Sequence, residues 1–188
     1  LPIIMYTEGG GGRPGDTDVL IAMGGLNVHT FYCWAGLAGH VPRIAVNHGF
    51  CFAGNAALFG AADLRIATRD SYIGMAGPAM IEGGGLGHYK PTEIGPVEAH
   101  LRNGVVDVLA DDEAHATSIA KLALSYTQGR TAIWQAHDQS QLRDSLPSNR
   151  RMAYNVRAII TTLTDIDSLL EIRSDYGKAI FAGLARVA

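Results

Sequence analysis

Short apolar runs alternate along the chain with helical patterns and with turns rich in glycine. The run at residues 44–46 is typical of a buried strand, and it leads through a turn at 49–54 into a short helix. Further strands are predicted at residues 1–6, 63–67, 72–75, 105–109 and 179–187. Helices are predicted at residues 18–37, 55–59, 78–82, 91–101, 111–126 and 154–163. Strands that alternate with helices in this way indicate an α/β domain.

The turn at residues 49–54 is the first candidate for chemistry. A strand that passes through such a turn into a helix leaves the first helical N–H groups without intrahelical partners. Together with the helix dipole, these donors suit an oxygen that carries negative charge. Ala53 and Gly54 are therefore candidate oxyanion-hole donors. The same pattern also fits a tight turn whose glycines only permit close packing of strand and helix.

Four consecutive glycines follow the first predicted strand, at residues 9–12. Such a run cannot belong to a stable helix or to a strand interior, so it predicts a loop. The loop is either a flexible turn or a backbone surface against which a ligand can lie closely. No Gly-Lys-Ser/Thr sequence follows, so the loop does not match a nucleotide phosphate loop. Arg13, directly after it, suits a phosphate, a carboxylate or a structural ion pair.

Composition excludes several classes of protein. The 188 residues are 47% hydrophobic and 18% charged, which suits one sizeable core. A formal charge of −3 gives no basic footprint for nucleic acid or an acidic membrane surface. Two distant cysteines predict neither a metal site nor a disulfide framework, and they favour a reducing, cytoplasmic compartment. No apolar stretch reaches membrane-spanning length.

Several ordered motifs together resemble one family. Residues 48–56 (HGFCFAGNA), followed by 62–64 (ADL) and 71–73 (SYI), resemble the core of the crotonase superfamily. The fuller resemblance is to the carboxyltransferase component of biotin-dependent acyl-CoA carboxylases. It extends through residues 77–81 (GPAMI), 93–95 (EIG), His100, 104–105 (GV), 154–160, 176–178 (YGK) and 181–186 (FAGLAR). The resemblance thus covers nearly the whole chain.

The resemblance implies an architecture. We expect a crotonase/ClpP-like spiral of ββα units that forms the N-terminal half of a carboxyltransferase. Residues 1–150 would form the partial core, and 151–188 a helix–strand bridge toward a missing C-terminal half. We therefore expect a fragment of a longer enzyme that does not carry out the complete reaction alone.

The resemblance also implies a reaction. In that family an acyl-CoA thioester loses an α-proton, and its enolate attacks carbon dioxide released from carboxybiotin, whose ring nitrogen takes the proton. The backbone N–H groups of Ala53 and Gly54 would hold the thioester oxygen. The predicted substrate-lining residues are Gly10, Gly11, Gly12, Arg13, Phe50 and Cys51. Biotin would be carried on a separate domain or subunit, with the coenzyme A thioester as substrate.

The same resemblance predicts the partners. They are an acyl-CoA, a biotin carboxyl carrier domain, a biotin carboxylase domain or subunit, and further copies of the chain in a homo-oligomer. Neither nucleic acid nor a membrane is expected.

Two alternative functions remain open. One is a crotonase-type enoyl-CoA hydratase or isomerase, which would need glutamates for acid–base work, and Glu82 is the nearby downstream candidate. The other is a non-catalytic module that serves only the assembly of a larger complex. Among the remaining residues, His100 is interpreted as structural, Cys51 as a small buried thiol, and Lys178 and Arg186 as surface residues.

Overall fold

A four-stranded parallel sheet is the centre of the computed structural model, which describes residues 1–10, 29–149 and 151–187. Its strands lie in the order β1 (Ile3–Tyr6), β2 (Arg43–Asn47), β4 (Leu64–Thr68) and β6 (Val108–Ala110). All three neighbouring pairs are parallel, with Ile4 opposite Ile44 and Val46 opposite Ile66. Every residue of β2 is buried, as its continuous apolar run predicts for a parallel strand covered on both faces.

A second, two-stranded parallel sheet pairs β3 (Phe50–Phe52) with β5 (Tyr72–Gly74). The prediction of an uninterrupted turn over residues 49–54 is therefore wrong, because its centre is a strand. A third sheet pairs β7 (Leu170–Ile172) with β8 (Ala182–Leu184) in antiparallel fashion. The last predicted strand, over residues 179–187, is thus much shorter than expected.

Helices cover the sheets in the order α1 (His29–Gly36), α2 (Gly54–Gly60), α3 (Pro78–Gly83), α4 (Val97–Arg102), α5 (Glu113–Ser125) and α6 (Val156–Leu163). The predicted start of the first helix near residue 18 lies outside the described residues. The predicted helix over residues 91–101 is split into a 3-10 turn at Pro91–Glu93 and α4. The break falls at Gly95, whose φ of 56° is left-handed and which precedes Pro96.

Two apolar clusters lie on opposite faces of the parallel sheet. Alternate residues of a strand point to opposite faces, so Ala45 joins one cluster while Ile44 and Val46 join the other. Helices α1 and α2 cover the first face through Trp34 and Phe59. The other face is covered by α5 through a set of small and branched residues, Ala116, Ile119, Ala120 and Ala123.

The polar segment between α5 and α6 contains local structure. Residues Gln139–Asp144 form a 3-10 helix, and Ala136 makes an isolated antiparallel bridge with Asp165. Arg186 is also more than a surface residue, because its guanidinium lies 5.5 Å from the centre of the Tyr126 ring and donates to the Ser125 carbonyl. Among the described residues, no helix has the length and apolar character that crossing a membrane requires.

Candidate functional site

The candidate site lies at the carboxyl edge of the parallel sheet. Strands β1, β2 and β4 end at Tyr6, Asn47 and Thr68, and parallel strands in register bring these ends together. The glycine loop leaves this edge after β1, and β3 with α2 leaves it after β2. Ligands of open parallel α/β sheets bind at the carboxyl ends of the strands, so this is the expected place for a site.

Neutral polar side chains fill the interior of this edge. The buried members are Thr7, Asn47, Thr68 and Ser71. Asn47 accepts a hydrogen bond from the Thr7 hydroxyl at 3.3 Å and donates one to the Gly49 carbonyl at 3.0 Å. The Ser71 hydroxyl donates to the Asn47 carbonyl at 3.0 Å. These bonds fix the path of the chain from β2 into the turn that precedes β3.

Ala53 does not offer a free N–H group. Its N–H donates to the Gly74 carbonyl at 2.9 Å, as an extension of the pairing between β3 and β5. The prediction of Ala53 as an oxyanion donor is therefore wrong for this arrangement. The residue instead has a φ of 54°, uncommon for a side chain with a Cβ, and it turns the chain from β3 into α2.

Gly54 has the geometry that the prediction requires. As the first residue of α2, its N–H has no intrahelical acceptor, and the described residues place no other acceptor on it. A Cβ at this position would lie 2.8 Å from Cζ of Phe31, so the Phe31 ring lies against the glycine. Gly54 is half-buried, with the Phe31 ring over its Cα, and its N–H has no acceptor among the described residues. Gly54 remains a predicted oxyanion donor.

The glycine loop begins as a continuation of the second sheet. The Gly9 N–H donates to the Phe50 carbonyl at 2.7 Å, and the Phe52 N–H donates to the Gly9 carbonyl at 3.0 Å. The loop therefore leaves β1 alongside β3. Among the described residues, a Cβ on Gly10 would meet nothing within 4 Å. Gly11, Gly12 and Arg13 lie outside the described residues.

The two remaining predicted residues differ in their access to a substrate. The side chain of Cys51 is fully buried, and this burial raises the pKa of its thiol to about 11. The predicted contact of Cys51 with substrate is therefore wrong for its side chain, whereas its interpretation as an inert buried thiol is confirmed. Phe50 is 38% exposed, and its ring centre lies 5.7 Å from that of Phe52 and 5.4 Å from that of Tyr72. It remains a candidate substrate contact.

Asn55 is the functional candidate that the sequence reasoning missed. Its side-chain amide donates to the Thr7 carbonyl at 3.1 Å and to the Glu8 carbonyl at 3.2 Å. It thus connects the start of α2 with the glycine loop. The available signal was a single polar side chain in the otherwise apolar start of that helix.

The positions of His100 and Glu82 fit structural rather than catalytic roles. His100 Nε2 donates to the Ile73 carbonyl at 2.7 Å and supports β5, as expected of a hydrogen-bonded structural histidine, while its buried Nδ1 has no hydrogen-bond partner among the described residues. The Glu82 carboxylate is exposed on α3 and lies 3.3 Å from Nδ1 of His88. Within the described ranges, no group of three or more potential metal ligands comes together.

A separate surface pocket of about 680 Å³ lies elsewhere on the molecule. It lies between the end of α5 and the C-terminal strand, with Tyr126, Arg130, Trp134, Asp165 and Arg186 in its lining. None of the predicted site residues in the described chain lines it. Its volume is that of a ligand pocket. Two of its lining groups, the Arg186 guanidinium and the Tyr126 ring, already contact each other. We therefore locate the candidate site by the geometry around Gly54.

The fold and the site define a parallel α/β protein in which the N–H at the start of α2 has no acceptor among the described residues. The carboxyl transferase domain family matches residues 1–188, and the chain belongs to that family. The sequence is 28% identical over 196 residues to the methylmalonyl-CoA carboxyltransferase 12S subunit of Propionibacterium freudenreichii subsp. shermanii. That alignment covers 99% of this chain and 37% of the relative.

Solved structures support the same assignment. The chain superimposes with a TM-score of 0.91 and 54% identity on a single-chain, multi-domain long-chain acyl-CoA carboxylase, covering 99% of this chain and 18% of that one. On the hexameric transcarboxylase 12S, with methylmalonyl-CoA bound, the TM-score is 0.80 at 26% identity over 98% of this chain and 37% of that one. The predicted crotonase-like carboxyltransferase fold is confirmed, and the chain spans about a third of the length of its first curated relative.

Proposed function

We propose that the chain takes part in transferring a carboxyl group from carboxybiotin to the α-carbon of an acyl-CoA. The observation that carries this proposal is the Gly54 N–H at the start of α2, which has no acceptor among the described residues, at the carboxyl edge of the sheet in a chain of the carboxyl transferase family. It acts as part of a longer enzyme, since the chain spans 37% of its first curated relative.

The residues of the chain bind and polarise the thioester. The Gly54 N–H donates to the thioester carbonyl oxygen, which becomes an oxyanion when the α-carbon loses its proton. The backbone at Gly10 and the exposed ring of Phe50 line the acyl-CoA. The enolate carbon then forms a bond to carbon dioxide. Carboxybiotin, when bound, supplies that carbon dioxide by cleavage of its N–C bond, and the freed ring nitrogen accepts the α-proton.

The described residues fit a reaction whose proton goes to a cofactor. Cys51 lies in the strand before Gly54, but its pKa of about 11 keeps it a neutral thiol at neutral pH, so it is no base. Asn55, which follows Gly54, does not titrate. The protein therefore contributes electrostatically, through a hydrogen-bond donor that is in place before charge develops. Loss of one such donor typically costs roughly 10²–10³ in rate.

The organisation of the enzyme follows from the same proposal. Residues 1–150 form the partial carboxyltransferase core, and residues 151–188 form a bridge toward a second half. Biotin reaches the site on a carrier domain and is carboxylated by a biotin carboxylase domain or subunit. The enzyme is a homo-oligomer. Relatives named as biotin-dependent carboxylase subunits, and a 12S transcarboxylase described as a hexamer, support this organisation.

The test is carboxyl transfer by the complete protein that contains this chain. Labelled bicarbonate, ATP and an acyl-CoA should give a labelled carboxylated acyl-CoA, and avidin should abolish the product. Gly54→Val should lower kcat by about 10²-fold or more, because the branched side chain collides with the Phe31 ring and displaces or covers the donor. Gly60→Val is the matched control, because Gly60 ends the same helix and a Cβ there meets nothing within 4 Å. No product from the unaltered protein would overturn the proposal.

The same preparation separates the two alternatives. Water addition to a short enoyl-CoA that disappears in Glu82→Ala would favour a hydratase. Calorimetry with the acyl-CoA addresses the assembly module, since the absence of heat at millimolar ligand would favour that function. Glu82 is exposed and pairs with His88, which supports neither a general-acid nor a general-base role for its carboxylate. We therefore expect no addition of water to an enoyl-CoA.

A further inference from the structure

Asn55 joins two elements of the candidate site that are far apart in sequence. It is the second residue of α2, directly after Gly54. Its Nδ2 lies 3.1 Å from the Thr7 carbonyl and 3.2 Å from the Glu8 carbonyl. An amide nitrogen has two hydrogens, so one side chain can satisfy both carbonyls at once. The start of the donor helix is thereby fixed to the chain that enters the glycine loop.

The fit of this amide depends on the absence of a side chain at Gly9. A Cβ built on Gly9 would lie 2.2 Å from Asn55 Nδ2, far inside van der Waals contact. The N–H and the carbonyl of Gly9 both bond to β3, at Phe50 and Phe52 respectively. Residues 7–9 are therefore held by main-chain bonds to β3 on one side and by the Asn55 amide on the other.

The chemistry of the contact selects a neutral donor. Backbone carbonyls only accept hydrogen bonds, so a carboxylate of the same shape at position 55 would face two acceptors with no hydrogen to share. A charged donor such as lysine would satisfy them but would place a cation beside the Gly54 N–H. An amide donates twice without adding charge to the place where the oxyanion develops.

We propose that Asn55 is a positioning residue that sets the spacing between the Gly54 donor and residues 7–10, where the glycine loop begins. This inference rests on the proposed function, in which the loop holds the acyl-CoA and Gly54 polarises its carbonyl. A displacement of about 1 Å between such groups can cost about 10²-fold in rate. The Gly54 N–H binds mainly the oxyanion that develops in the transition state. Its displacement therefore lowers kcat while KM changes little.

The first test is the steady-state kinetics of the complete carboxylase. Asn55→Ala and Asn55→Asp should each lower kcat by about 10- to 100-fold, with KM for the acyl-CoA within about 3-fold of the unaltered enzyme. The Asp variant keeps the shape of the side chain, loses its donors and adds a negative charge beside Gly54. Asn155→Ala is the matched control, because Asn155 caps α6 through a hydrogen bond of 3.0 Å to the Arg157 N–H, away from the sheet edge. It should lower the melting temperature without changing kcat.

A double-mutant cycle tests the packing partner. Gly9→Ala alone should lower kcat, because the added Cβ displaces the Asn55 amide. In the Asn55→Ala background the same change should cost clearly less, since the amide is no longer there and only the unfavourable φ of 159° for alanine remains. Full additivity of the two effects would overturn the inference, as would a kcat within 3-fold of the unaltered enzyme in Asn55→Ala.

A readout that does not depend on activity separates the two proposals. Amide hydrogen exchange over residues 7–10 should be faster in Asn55→Ala, while exchange in α5 should not change. If the unaltered enzyme carries out no carboxyl transfer, the proposed function fails, and the positioning role is then judged by this exchange. Unchanged exchange over residues 7–10 would overturn it whatever the activity.

Discussion

The two edges of the parallel sheet are built from opposite chemistry. At the amino edge, charged pairs join neighbouring strands: Arg43 binds Asp63, and Arg65 binds Asp107. At the carboxyl edge the buried side chains are all neutral, namely Thr7, Asn47, Thr68 and Ser71. Charged groups near that edge, such as Glu113 beside His48, are exposed to solvent.

The amino edge repeats one device. The Arg43 guanidinium and backbone N–H both donate to the Asp63 carboxylate, with two of these bonds at 2.9 Å, and the Asp63 N–H returns a bond of 2.9 Å to the Arg43 carbonyl. Arg65 and Asp107 make the same reciprocal set between the next two strands. Each pair closes the ladder where the strands begin.

The difference indicates how stability and chemistry are divided. Ion pairs can hold strands in register, but a buried carboxylate beside a developing oxyanion would repel it. Fixed charge at the amino edge leaves the interior of the reacting edge to neutral dipoles. Such an arrangement suits a site whose donors are backbone N–H groups.

Removal of Asp107 should give the largest effect. Its side chain is 2% exposed and binds both Arg65 and Arg173, at 2.9 and 2.7 Å. Asp107→Ala leaves Arg65, itself 16% exposed, without its counter-ion, which should cost about 3–5 kcal/mol in the free energy of unfolding. Denaturant unfolding of the complete protein, followed by a signal from this domain, measures the loss.

Asp63→Ala is the matched control for that experiment. The Asp63 side chain is 49% exposed, so water replaces part of what is lost, but Arg43 is only 7% exposed, and a loss of about 1–3 kcal/mol is expected, smaller than for Asp107. Equal losses of unfolding free energy in Asp107→Ala and Asp63→Ala would show that burial of the carboxylate does not distinguish the two ion pairs.

The sequence predicts most elements of this fold but not the contacts that decide the site. The apolar run of β2 and the glycine turn into α2 follow from local pattern, because each depends on neighbouring residues. Strand β3 was missed, since three residues within a glycine-containing turn have no alternation, and their partner β5 lies some 20 residues onward. The commitment of the Ala53 N–H to Gly74 depends on that same distant pairing.

The side-chain contacts were hidden for a similar reason. Asp107 was predicted inside a strand, whereas it precedes β6 and binds arginines from two other segments. Asn55 reaches carbonyls 47 and 48 residues earlier in the chain. No local pattern reports contacts over such separations, although the motif order did identify the family.

A charge placed at the neutral edge should give the next largest effect. Asn47 is fully buried, and its Nδ2 donates to the Gly49 carbonyl at 3.0 Å. Asn47→Asp removes that donor and sets a carboxylate against a carbonyl, so we expect a loss of about 3 kcal/mol at pH 7. Burial raises the pKa of the new carboxyl above its unfolded value. The unfolded state then binds fewer protons than the folded state, so stability falls as pH rises.

Measurement of this variant at pH 5 and pH 8 separates charge from packing. The deficit relative to the unaltered protein should be smaller at pH 5. Asn47→Ala loses the same hydrogen bonds without gaining a charge, so its deficit should not depend on pH. A deficit of Asn47→Asp that is equal at both values would mean that the carboxyl edge tolerates buried charge, contrary to the comparison.

The smallest effect is expected at acid pH, from the Arg43–Asp63 pair at the amino edge. The Arg43 side-chain hydrogen bond holds the pKa of Asp63 below its ordinary value of 3.8. The unfolded chain therefore binds the proton first as pH falls, and the stabilisation that is full above about pH 4 is lost as pH falls through the folded pKa. Unfolding midpoints from pH 6 to 2.5 should show a shallower acid limb for Asp63→Asn than for the unaltered protein. Arg43→Gln should flatten the limb likewise, because Arg43 is the main cause of the lowered pKa, and an unchanged limb in both variants would mean that this pair adds no pH-dependent stability.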